Sequence, residues 1–175
     1  GFGHDTNHKP IEGHGFSINP CILQPQSRGV VKLSAADPRA PVHFESNALR
    51  ARADIEALVR GVRFAIKVFE QPALAAHVRR RVMPAPGIEV DNAALELYCR
   101  KVAKTVFHPA GTCKMGPASD RMAVVGEDLR VHGIDGLRVA DASIMPTVVS
   151  GNTNAPTIMI GERAAGFILG TDVLA

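Results

Sequence analysis

The stretch SGNTNAPTIMIGERAAGFILG, residues 150–170, constrains the fold more than any other. Asn152, Thr153 and Asn154 offer side chains that can take up the unpaired N–H groups of a helix start. Pro156 fits a first turn, where its missing N–H is not needed, and Gly170 suits the left-handed residue that closes a helix. The spacing predicts a helix over 155–169 whose apolar residues do not keep to one face. Such a helix needs cover from more than one side.

The other elements are mixed without regular alternation. From Ala51, the residues Ile55, Leu58, Val59, Val62, Ala65, Ile66 and Phe69 recur at three- and four-residue steps, which predicts a helix ended by Pro72. A second helix is expected from Asn92 to Lys104, capped by Asp91, with Leu95, Leu97, Tyr98 and Val102 among its buried residues. Residues 15–33 read as strand, turn, strand around Pro25 to Gly29. Residues 105–136 hold five glycines and read as loop, and Leu137 to Ala140 as a short buried strand before Asp141. This order favours an α+β fold, with a mostly antiparallel sheet and flanking helices. With 175 residues, 46% of them hydrophobic and 21% charged, the chain can bury a core. Lacking Trp and holding one Tyr, it must build that core from Val, Ile, Leu and Ala.

Several classes are disfavoured. A formal charge of +3, with Arg79-Arg80-Arg81 as the longest basic run and no interleaved aromatics, gives no reason to expect nucleic-acid binding. Cys21, Cys99 and Cys113 are odd in number and widely spaced, which fits reduced thiols and a cytoplasmic setting better than a disulfide framework. His4, His8 and His14 invite a metal reading, but their spacing matches no standard zinc site and no Cys or paired carboxylate completes the set, so no metal is expected. The opening GFGHDTNHKP, with neither Met nor an apolar leader, reads as the interior of a longer protein.

Chemistry concentrates in three segments. In TVFHPAGTCKMG, residues 105–116, His108 follows a β-prone run and precedes a Pro, which should hold its backbone extended. Read alone, it fits a hydrogen-bonded structural histidine at least as well as a base. Gly111, Cys113 and Met115 suit close approach to a flat ligand, or simply a packed turn. In SGNTNAPT the helix start offers unpaired N–H groups and a partial positive charge, with Asn152 and Asn154 adding neutral amides; these also read as plain caps. In LRVADASIMP, Asp141 ends a short apolar run, where a carboxylate can reach a ribityl-type hydroxyl or cap the next turn.

Together these segments resemble one family, the glucose-methanol-choline (GMC) flavoprotein oxidoreductases, and specifically the carboxy-terminal part of a choline-dehydrogenase-like member. HGFSINPCILQPQSRGVVKLSAADPRAPV is similar to the family's SRG-V-L-SADP segment, TVFHPAGTCKMG to its catalytic-histidine segment, and LRVADASIMPTVVSGNTNAPTIMIGERAA to its carboxy-terminal signature. The resemblance implies FAD as cofactor and oxidation of a primary alcohol, choline-like or other, to the aldehyde. His108 would take the alcohol proton as hydride leaves for flavin N5, with Asn152 as its partner. Asp141 and Ala142 would lie along the ribityl and phosphate side, Asn154, Ala155 and Pro156 would flank the flavin ring, and Val106 and Phe107 would line the substrate pocket. Residues 1–136 would form the substrate-binding domain and 137–175 a strand and helix completing the FAD-binding domain.

One departure matters. The family's GxGxxG fingerprint is absent from these 175 residues, so the adenine end of FAD has no place here. The chain alone is then expected to be inactive and to lack flavin. Its partners would be an N-terminal FAD-binding domain and a small alcohol. It would also self-associate through exposed apolar surface, and the full-length protein could be membrane-associated. The alternative is a non-catalytic domain that stands alone and binds a small molecule or a partner chain.

Overall fold

The computed structural model describes residues 13–171. The histidines His4 and His8 lie outside the described residues, and among those described no group of side chains could hold a metal ion. Two compact units divide the chain: 1–28 with 47–104, and 29–46 with 105–175.

The first unit is helical. Helix α1 (Arg52–Phe69) carries the predicted apolar stripe, with Ile55, Ala65 and Ile66 buried. Helix α3 (Asn92–Val102) packs against it through Leu95 and Cys99. Asp91 caps α3 as expected, accepting from the N–H groups of Ala93 at 2.8 Å and Ala94 at 3.2 Å. Leu97, expected inside, is 68% exposed, because it falls on the face opposite Leu95 and Cys99. Pro72 does more than end α1: it opens a one-turn helix, α2 (Pro72–Ala75), at the position where a helix needs no N–H.

The strand expected within 15–23 does not form. The chain there is irregular, and just beyond it the Gln26 and Ser27 N–H groups both donate to the buried carboxylate of Asp54, each at 2.8 Å. Ser27 in turn accepts from the Ala51 N–H at 2.9 Å, at the start of α1. Phe16 stacks on Phe69, ring centres 5.3 Å apart.

The second unit holds the sheet. Strand β1 (Val30–Lys32) pairs with β2 (His43–Glu45) in antiparallel register, Val31 opposite Phe44. The partner of 30–32 therefore lies downstream, where the Asp37-Pro38 and Ala40-Pro41 steps turn the chain back. Beyond this small sheet, strand-like pairing among the described residues is limited to isolated bridges, Met115 with Val125, Val125 with Val131, and Arg130 with Arg138. Leu137 to Ala140 is accordingly no strand. Gly133 and Gly136, both at positive φ, turn the chain so tightly that a single bridge forms, and Leu137 stays 47% exposed.

Helix α4 (Asn154–Leu169) ends at Gly170 in the left-handed conformation, as its sequence predicts. Ile160 and Ala164 join Val125, Leu129, Ile144 and Met145 in the core of this unit. Ile158, Met159, Ile168 and Leu169 of the same helix remain exposed. No helix among the described residues is long and apolar enough to cross a membrane.

Candidate active site

The segment around His108 is held at its far end by the backbone. Cys113 N–H donates to Ser143 O at 3.0 Å and Met115 N–H to Ile144 O at 2.8 Å, which straps 113–115 to the 3-10 turn Ala142–Ile144. On the other side, Gly116 N–H donates to Val125 O at 3.0 Å and Val124 N–H to Lys114 O at 2.8 Å. Met115 packs beside the core cluster, so the loop is anchored in apolar surface as well as by hydrogen bonds. Lys114 also pairs with Asp120, whose carboxyl is held below its ordinary value by that contact.

Between this anchor and the histidine the chain needs one unusual residue. Gly111 sits at φ +90°, and a Cβ there would meet only Met145 O at 3.4 Å, an ordinary contact. The backbone conformation, rather than lack of space, is what calls for glycine. Gly111→Ala is expected to lower stability by about 1–2 kcal/mol, read as a fall in thermal midpoint.

Phe107 departs from the extended run predicted for it. Its φ is +62°, and its N–H donates to the Thr105 hydroxyl at 2.9 Å, which closes a local turn. A bulky residue in this region is a real outlier, and such strain gathers at functional sites. Phe107 is 82% exposed and Val106 54%, so both stand on the surface of this unit.

His108 is held through both ring nitrogens. Its Nε2 lies 3.0 Å from Asn152 Oδ1, and its Nδ1 lies 2.9 Å from Thr153 Oγ1. Asn152 precedes α4 and Thr153 is that helix's N-cap residue, so the helix start itself carries the partners of the ring. Thr153 is 8% exposed. Its hydroxyl contact with the histidine is what the sequence does not disclose, because Thr153, unlike Asn152 and Asn154, reads only as a cap. In the structure no side chain caps α4, and Thr153 turns its hydroxyl to the histidine instead. The sequence signal was present in the triplet: one residue suffices as a cap, and three in a row leave polar side chains for another use.

Thr153 therefore gives no side-chain cap to the helix start, where Asn154 and Ala155 are exposed, Pro156 is half-buried and space is open beside Gly151. Asp141 behaves as a cap of the 3-10 turn, its Oδ1 accepting from Ser143 N–H at 2.7 Å. Hydrogen bonds from the side chain and backbone of Ser143 keep its carboxyl below the ordinary range, so it is an anionic acceptor at neutral pH. Ala142, by contrast, packs against the core cluster.

A histidine and an asparagine in contact, beside an uncapped helix start, can accept a hydroxyl proton and steady an electron-rich ring edge. The GMC oxidoreductase family model matches residues 25–161, and the chain belongs to that family. The oxygen-dependent choline dehydrogenase 1 of Chromohalobacter salexigens is 41% identical over 94% of this chain, and the alcohol dehydrogenase [acceptor] of Pseudomonas putida 39% over 94%. The chain spans 29% of the length of each. Among solved structures, a fungal aryl-alcohol oxidase superposes with a TM-score of 0.74 at 32% identity, covering 85% of this chain and 24% of that one. Formate oxidase of Aspergillus oryzae, whose FAD undergoes modification, gives a TM-score of 0.76 at 28% identity, covering 85% and 26%.

Proposed function

We propose that the chain acts as the carboxy-terminal part of an FAD-dependent alcohol dehydrogenase, with His108 as the base and Asn152 as its partner. The observation that carries this reading is the Nε2 to Oδ1 contact of 3.0 Å across 44 positions of sequence, at the start of a helix that no side chain caps. A neutral imidazole can take a hydroxyl proton, and an amide can hold the oxygen without competing for it. The relatives' names, choline dehydrogenase and alcohol dehydrogenase, support a primary alcohol as substrate.

The residues present fit a flavin at this place. The N–H groups at the helix start, those of Asn154 and Ala155, suit an electron-rich ring edge, Pro156 would flank it, and the anionic Asp141 beside Ala142 suits a ribityl hydroxyl. When bound, FAD supplies the acceptor for the hydride. This chain contributes the base, the oxygen-holding amide and the helix start, with Val106 and Phe107 facing the alcohol. In this reading residues 1–136 are the substrate-binding domain, and 137–175 complete the FAD-binding domain supplied by the rest of the polypeptide.

The exposed Ile158, Met159, Ile168 and Leu169 on α4 support that division, since an N-terminal FAD-binding domain would cover them. The 175-residue chain by itself is expected to show no flavin absorbance, to bind a hydrophobic dye and to self-associate. A tightly held, stoichiometric flavin bleached by an alcohol would refute the predicted inactivity. A monomer that binds no dye would favour a stand-alone binding domain.

A further inference from the structure

Four residues other than glycine lie at positive φ among the described residues: Asn47, Leu49, Phe107 and Leu129. Three have a local reason. Asparagine tolerates the left-handed region. Leu129 is 2% exposed in the core of its unit, and the carbonyl of Leu49 is held by the Arg100 guanidinium at 2.8 Å. Phe107 has no such cover, being 82% exposed, so packing does not offset the cost of its φ of +62°. Two anchors fix it instead. Upstream, the Thr105 hydroxyl accepts from the Phe107 N–H at 2.9 Å. Downstream, Asn152 and Thr153 hold the His108 ring at its two nitrogens, and Pro109 restricts the His108 backbone. Glycine or asparagine would make the same turn with far less strain. What the position keeps, at the cost of that strain, is a large aromatic ring one residue from the proposed base.

We propose that Thr105 is a positioning residue for substrate binding: its hydroxyl holds Phe107 in the left-handed conformation, and that conformation sets the aromatic face against which the carbon body of the alcohol packs. The proposal rests on the reading of this site as one that oxidises an alcohol. The body of the alcohol does not react, so its contact with the ring is made alike in the bound substrate and in the transition state. An interaction of that kind bears on KM and leaves kcat alone. Thr105 acts through Phe107 and takes no part in the bonds that hold the His108 ring, which come from Asn152 and Thr153. A β-branched residue with a hydroxyl suits the task, since its side chain is stiff and the oxygen that receives the N–H is thereby held in place.

The test compares Thr105→Val, which keeps the shape and loses the hydroxyl, with Thr105→Ser, which keeps the hydroxyl. In the 175-residue chain, the one-bond Cα–Hα coupling of Phe107 separates positive from negative φ. Positive φ is expected in the native chain and in T105S, and negative φ in T105V. In the full-length enzyme, T105V is expected to raise KM about fivefold with little change in kcat, and T105S to restore it. A Phe107→Gly background supplies the control, because glycine takes the left-handed conformation unaided and has no ring to place. There T105V should leave KM where F107G alone sets it. Positive φ retained at Phe107 in T105V would overturn the proposal, and so would an unchanged KM or an equal rise in the F107G background. The underlying reading fails by a different result, a full-length protein that oxidises no alcohol.

Discussion

Replacing His108 with Ala in the full-length enzyme is expected to lower kcat/KM by about a thousandfold while flavin stays bound. The size follows from the role proposed for the ring. General-base groups contribute on that order when they sit within hydrogen-bond reach of the proton they take, and here the ring is fixed at 2.9 Å and 3.0 Å by two residues of one helix start. The flavin should survive because the residues assigned to hold it, Asp141 and the first turn of α4, keep their own backbone and hydrogen bonds. Steady-state kinetics beside the visible spectrum of the purified variant checks both halves. Turnover within a few-fold of the parent would end the assignment of His108 as base.

The second large effect lies in the other unit, away from the chemistry. Asp54→Ala is expected to destabilise the first unit by about 3 kcal/mol, because the Gln26 and Ser27 N–H groups lose their acceptor in a buried place. Asp54→Asn should recover little, since one amide arm would set a donor against a donor. Acid dependence gives a separate check. Burial alone would raise the Asp54 carboxyl, but the Gln26 and Ser27 N–H groups, the Ser27 hydroxyl and the Arg28 charge together pull it below its ordinary value. A depressed carboxyl contributes stability that is present above its unfolded-state value and lost as pH falls through the folded one. The native chain should therefore weaken from the ordinary carboxylate range downward, and the Ala variant should weaken less steeply. Urea unfolding followed through Tyr98, the chain's one tyrosine, reads the unit concerned.

What the sequence disclosed follows from where the information sits. Helices α1, α3 and α4 were legible because their signals are local: a stripe at three- and four-residue steps, Asp91 before α3, and Gly170 after α4. The pairing of β1 with β2 was not, because two strands of three residues carry almost no period, and the partner of Val30 to Lys32 lies across a turn. Asp54 was invisible for another reason. A carboxylate on the polar rhythm of an amphipathic helix looks exposed until the backbone it receives, from residues 28 and 27 positions earlier, is in place. The juxtaposition of His108 with Asn152 came from family resemblance, since spacing across a loop of this length predicts no contact. Thr153 was hidden by its neighbours, being one polar residue in a triplet that any cap argument explains.

The hairpin of β1 and β2 has a consequence for how the chain tolerates change. Residues 29–46 leave the first unit and return to it, and the two ends of that excursion are pinned together where Asn47 Nδ2 donates to Arg28 O at 3.1 Å. At the neck, the backbone of Gly29 lies so close to Glu45 and Ser46 that a Cβ would fall 2.5 Å from Glu45 O. A stretch whose ends meet in this way is, topologically, an insertion. Its tip can lengthen or shorten over evolutionary time with little cost to the unit whose sequence it interrupts, while its neck stays confined to glycine.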